Sequence, residues 1–111
     1  VPRPHRLPPR HFTAGWPTTP ATSPVAEAVR LLVANLRAAI DQASARDLAA
    51  RTGVHHSVIA RILAGTTWPD AETIARLETG LGVALWPTLA SDGTTYRAKR
   101  PAQPRKSPSR Q

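Results

Sequence analysis

The sequence predicts an all-α fold: a compact unit of four to five short helices around one small core, flanked by disordered basic arms. Three observations carry this expectation. Apolar residues through the middle of the chain recur at intervals of three or four, the period of a helix with one buried side. Ser, Asp, Pro and Gly fall between those stripes, where helices need caps and stops. Proline and net positive charge are concentrated at the two ends.

The ends come first because they bound the domain. Residues 1–22 hold six prolines with Arg3, Arg6 and Arg10, and no acid. Fixed φ angles and missing N–H donors oppose helix and sheet, so this stretch reads as a Pro/Arg-rich flexible arm. Residues 23–90 carry six arginines against six acids and are formally neutral. Residues 91–111 set Asp92 against Arg97, Lys99, Arg100, Arg105, Lys106 and Arg110, and read as a basic, largely disordered tail. The contributions are +3, 0 and +5 of the total +8, so the excess charge lies outside the central domain. Cationic arms beside a compact unit suit a polyanion, since each cation placed on a phosphate releases counterions. The plainer reading is a solubilising tail, or one that meets anionic surfaces of any kind.

Helix 1 is predicted to start at Ser23-Pro24, a capping serine followed by proline at the first helical position. Its stripe is Val25, Val29, Leu32, Leu36 and Ile40, and Asp41-Gln42 closes it. Helix 2 is short, from Ala45 to Thr52, with Ser44 as cap, Asp47 as the reciprocal acceptor and Gly53 as stop. Helix 3 runs from His56 to Ala64, with Val58, Ile59 and Ile62 inward and Gly65 ending it. After the Thr66-Thr67-Trp68-Pro69 loop, Asp70 caps helix 4, whose Ala71, Ile74, Leu77 and Leu81 keep helical spacing. Gly80 inside that helix costs about 1 kcal/mol relative to alanine, which predicts a frayed last turn.

The expected core is Leu36, Ile40, Leu48, Ala49, Val54, Ile59, Ile62, Ile74, Leu77, Leu81 and Val83. Beyond it two readings stand. Asp92-Gly93 between β-prone residues suits a small hairpin, whereas Trp86-Pro87 suits the start of a short fifth helix. The helix is the preferred reading.

Two short helices joined by a tight glycine turn, with longer helices on either side, describe a helix-turn-helix. The run from Ser44 to Gly65, SARDLAARTGVHHSVIARILAG, resembles the Cro/C1-type (XRE) helix-turn-helix family, and the resemblance extends over about residues 36–86. It rests on Leu48-Ala49, on Gly53-Val54 at the turn, on the Ile59 and Ile62 pattern, and on Gly65. The resemblance implies a sequence-specific double-stranded DNA-binding transcriptional regulator whose helix 3 lies in the major groove. His56, Ser57, Val58 and Arg61 are then the base-reading candidates. Arg61 has the geometry to bind guanine O6 and N7 together. Backbone candidates are Arg46, Arg51, His55, Thr66, Thr67, Arg97, Lys99, Arg100, Arg105 and Lys106. The family often has Gln where this chain has Ala45, and often an ion pair where it has Ala38 and Leu63, which implies apolar packing there instead.

Leu85, Trp86 and Leu89 are the candidate surface for a homodimer or a regulatory partner such as RNA polymerase. Trp68 is expected to pack at the corner between helices 3 and 4 rather than stack on a sugar. Two rival functions remain: an antitoxin-type regulator that also binds a toxin, and an architectural or protein-interaction module. Other classes lack their residues. Without cysteine there is no disulfide frame, thiolate metal cage or cysteine nucleophile. His55 and His56 are adjacent and do not face each other on a helix, while His5 and His11 lie in the arm, so no metal or other cofactor is expected. No phosphate loop, carboxylate pair or nucleophile with a histidine partner stands at recognisable spacing, and no enzyme is expected. No apolar run approaches the roughly 20 residues that span a bilayer, and the first residues lack a secretory signal's apolar core. A cytoplasmic, nucleoid-associated location is the expectation.

Overall fold

Serine-capped, proline-led helices begin where such caps occur, and the computed structural model, which describes residues 6–98, follows that rule closely. Helix α1 spans Pro24–Ile40, with the Ser23 hydroxyl accepting from the Ala26 N–H. Helix α2 spans Ala45–Thr52 and opens on a full capping box. Ser44 accepts from the Asp47 N–H at 3.1 Å, and the Asp47 carboxylate accepts from the Ser44 N–H at 3.2 Å. Helix α3 spans His56–Ala64 and helix α4 spans Ala71–Leu81, the latter capped by Asp70 on the Thr73 N–H.

Helix α2 packs against both α3 and α4, and α1 lies across α3. The buried centre is Val29, Leu32, Val33, Leu36, Leu48, Val54, Ile59, Ile62, Leu77 and Leu85. Ile40, Ala49, Ile74 and Leu81, expected inside, line its margin half-buried. Val83 is not in the core at all: it follows the Gly82 helix stop and is 42% exposed. Val25 is 63% exposed, because it sits in the first turn of α1 beyond its packed neighbours.

Gly80 has a different role from the one expected. It does not end α4, which continues to Leu81; a Cβ at Gly80 would lie 2.6 Å from Thr52 Cα and 2.8 Å from the Arg51 carbonyl oxygen. Glycine is there because the end of α2 passes against α4 with no room for a side chain.

The fifth helix does not form. Residues Thr88–Leu89 (β1) and Tyr96–Arg97 (β2) make a short antiparallel hairpin, with Thr88 opposite Arg97 and Leu89 opposite Tyr96. Asp92 organises its turn by accepting from the Thr94 N–H and hydroxyl, and Gly93 supplies a φ of 74°.

The N-terminal segment also differs from expectation. Residues 6–22 lie against the helical body, with a single 3₁₀ turn at Pro9–Phe12 packed on α1. Pro9 is buried, and the Trp16 indole donates to the Leu63 carbonyl at 2.9 Å. The Arg10 N–H donates to the Gly65 carbonyl at 3.0 Å, and the Trp68 indole donates to the Leu7 carbonyl at 2.8 Å. At the other end of the segment, Glu27 accepts from the Ala21 N–H while pairing with Arg30, whose guanidinium also donates to the Pro17 carbonyl. The Trp68, Glu27 and Arg30 side chains thus satisfy backbone groups of the segment, and others pair within it, as the Thr22 N–H does with the Phe12 carbonyl at 2.7 Å. The 3₁₀ turn and β2 both pack on α1, and α1 is buried beyond the expected stripe, at Ala26, Ala28, Leu31 and Val33.

Candidate nucleic-acid interface

The turn between α2 and α3 is fixed by Gly53, whose φ of 75° closes α2 through its N–H to the Ala49 carbonyl. Thr52, buried, donates to the Leu48 carbonyl and accepts from the Val54 N–H, so both sides of the turn are tied down. Ile59 and Ile62, fully buried, anchor α3 and fix its rotation. Ala60, Arg61 and Ala64 then face solvent, while His56, Ser57 and Val58 are half-buried.

The start of α3 carries an unusual cap. His55 Nδ1 accepts from the Ser57 N–H at 3.1 Å and lies 2.8 Å from the Ser57 hydroxyl. Nδ1 must be unprotonated to accept, which assigns the proton of the neutral ring to Nε2. The His55 and His56 rings stack at 4.4 Å. Partial desolvation, then repulsion from His55 when it is protonated and from Arg46, hold the His56 imidazole below its ordinary pKa. The structure brings His55 and His56 together at the start of α3, and Arg46, on the first turn of α2, is exposed.

The other candidates divide. Arg61 is exposed in the last turn of α3. Ser57 is partly committed, its hydroxyl lying against His55. Val58 packs on the margin of the core. Arg51 is exposed at the end of α2, and Thr66, also exposed, donates its hydroxyl to the Arg61 carbonyl at 3.2 Å. Thr67 is half-buried in the same loop. Arg97 is exposed on β2, away from the helical pair in sequence, and Lys99, Arg100, Arg105 and Lys106 lie outside the described residues. Ala38 is exposed, so the position expected to carry apolar packing opposite Leu63 does not do so.

The proposed partner surface needs one correction. Leu85 is 1% exposed and belongs to the core. Its N–H donates to Glu78 at 2.7 Å, its carbonyl accepts from Asn35 at 2.7 Å, and the Trp86 N–H donates to the same Glu78 oxygen at 3.0 Å. That network turns Leu85 inward and leaves Trp86 and Leu89 on the surface, 38% and 51% exposed. Trp86 meets Tyr96 edge-on at 5.7 Å and borders an open groove of about 400 Å³ with Ala71, Ile74, Ala75 and Glu78. Trp68 packs at the corner between α3 and α4, with Phe12 beside it and the Arg6 guanidinium 5.3 Å from its ring centre.

Sequence reasoning missed Trp16, the Glu27–Arg30 pair, Asn35 and Glu78. A tryptophan within a proline-rich stretch and the off-stripe apolar residues of α1 were the available signals for the first of these.

Two short helices held at a tight glycine turn, with the second anchored from behind and open in front, define a helix-turn-helix domain. The family model described as Helix-turn-helix matches residues 36–85. Over those residues the chain is similar to the DNA-binding domains of the Cro/C1-type (XRE) helix-turn-helix family. Comparison with curated proteins and with solved structures gave no match. Among the described residues no helix is long and apolar enough to cross a membrane.

Proposed function

We propose that the chain is a sequence-specific double-stranded DNA-binding transcriptional regulator that inserts α3 into the major groove. The observation that carries this reading is the orientation of α3. Ile59 and Ile62 are fully buried, so Arg61, exposed, projects on the opposite side. Arg61 is the principal base reader, with His56 beside it. Ser57 contributes through a hydroxyl already shared with His55, and Val58 contributes shape rather than hydrogen bonds. Arg46, Arg51, His55, Thr66 and Thr67 meet phosphates, and the basic segments at the two ends add backbone contacts. A nucleoid location follows from that role.

Trp86 and Leu89 support a homodimer, since an exposed aromatic beside an apolar groove on α4 gives each copy both a knob and a hollow. A dimer would span half-sites about 34–36 Å apart. The same surface is the one an antitoxin-type regulator or a polymerase-binding module would use.

Selection from a random duplex pool tests the reading. Enrichment of a palindrome, with Arg61→Ala losing about 1–3 kcal/mol of discrimination at one position in each half-site, is the expected result. Unselective binding that falls steeply with salt would replace it with an architectural role.

A further inference from the structure

Basic residues ahead of a DNA-binding domain ordinarily act as loose counter-charges, losing conformational entropy whenever they settle on a phosphate. Arg6 and Arg10 are placed differently. The Arg10 N–H is bonded to Gly65, the residue that ends α3, and Gly65 itself adjoins the Thr66-Thr67 loop. Leu7, next to Arg6, is bonded through its carbonyl to the Trp68 indole, and the Arg6 guanidinium lies over that ring. Trp16 presses on Gly65 so closely that a Cβ there would stand 2.5 Å from its indole. The far end of the segment is held by Glu27 and Arg30.

We infer that residues 6–22 form a docked second limb of the DNA-contacting surface, with Arg6 and Arg10 as phosphate ligands beside the exit of α3. The inference rests on the DNA reading above and adds a site to it. Both arginines are exposed, and neither has a carboxylate within ion-pair distance among the described residues. Asp70, the acid of the adjoining loop, is engaged by the Thr73 N–H. The cations are therefore available to an anion, on backbone already held to the end of the recognition helix. A preorganised contact of this kind keeps more of its free energy than one made by a free arm. It also lies next to the Arg61 carbonyl, where Thr66 is attached, so the limb and the reading helix approach a duplex as one body.

The test uses the full chain and a duplex recovered by selection, with affinity measured by fluorescence anisotropy across a salt series. Arg6→Ala/Arg10→Ala should lower the slope of log K against log salt by about 2, since each phosphate contact contributes about 0.9. The preferred sequence should stay the same. Arg37→Ala removes an exposed charge from the last turn of α1 and should leave the slope within about half a unit of wild type. Equal loss in the two variants, or no loss in the first, overturns the inference while leaving the DNA reading intact. No binding by the wild-type chain overturns the DNA reading itself. Hydrogen exchange gives an independent check without DNA. The Arg10 and Thr22 amides, bonded to Gly65 and Phe12, should be protected, and exchange at the rate of free chain would remove the docked limb.

Discussion

Gly65→Ala separates two reasons for a glycine at the end of α3. Gly65 and Gly82 both stop a helix in the left-handed region, with φ of 74° and 72°. Around Gly82 there is nothing within 4 Å of an added Cβ, whereas at Gly65 three Trp16 atoms lie at 2.5–2.8 Å. Gly82→Ala should therefore report backbone strain alone, about 1–2 kcal/mol. Gly65→Ala should carry the same strain and also displace Trp16. That displacement breaks the indole hydrogen bond to Leu63, worth about 1 kcal/mol, and exposes part of an aromatic ring worth about another 1–2 kcal/mol.

The two variants should differ by about 2–3 kcal/mol, or roughly 10–20 °C in melting temperature for a domain of this size. Urea denaturation followed by far-ultraviolet circular dichroism measures both. The decisive comparison repeats Gly65→Ala in a Trp16→Ala background. There the obstacle is already gone, and the cost should fall to that of Gly82→Ala, a coupling of about 2–3 kcal/mol. Equal costs in the two backgrounds would refute the reasoning, because Trp16 would then not be the neighbour that Gly65 accommodates.

Three further outcomes follow from the same geometry. Gly80→Ala should destabilise by at least about 1 kcal/mol although alanine is the better helix former, because its Cβ would meet the Thr52 backbone; a rise in melting temperature would contradict this. Glu78→Ala should cost about 1–3 kcal/mol, since it leaves the Leu85 and Trp86 N–H groups without their acceptor, and loss of Trp86 fluorescence anisotropy on the variant would show the chain after α4 coming loose. The His56 pKa is lower folded than unfolded, so its contribution is present above about pH 6.5 and is lost as the pH falls through the folded value; thermal melts at pH 7.5 and 5.5 should show a drop that is smaller in His56→Gln.

The helices were legible because each begins and ends on chemistry confined to a few neighbouring residues. Ser23-Pro24, the Ser44 and Asp47 box, Gly53, Gly65 and Asp70 act over four positions or fewer, and each stands where the spacing placed it. The hairpin was within reach, since Asp92-Gly93 is a turn signal, but Trp86-Pro87 offered a local helix start that only packing refuses. Pro87 is buried, and the Trp86 N–H is held by Glu78 of α4, eight residues back. Leu85 was misread for the same reason: its inward direction depends on Glu78 and Asn35, and the latter lies 50 residues away.

The N-terminal segment marks the limit of reading by composition. Six prolines and three arginines without an acid describe a chain that forms no long helix or strand of its own, and it pairs its backbone internally only in turns and at Thr22–Phe12. Composition is silent on whether another part of the molecule supplies the missing partners. Here Gly65, Trp68, Glu27 and Arg30 bond its backbone, Leu63 accepts from its Trp16 indole, and apolar burial comes from Trp16 against the core and the Pro9–Phe12 turn against α1. The clue lay in α1 rather than in the segment. Ala26, Ala28, Leu31 and Val33 widen its apolar surface well beyond one stripe, and a helix apolar on more than one side needs more than one neighbour. Helix α3 packs on α1, and Leu32 and Leu36 join the common core. The surplus surface asked for further covering elements, and the 3₁₀ turn at Pro9–Phe12 and strand β2 both pack on α1.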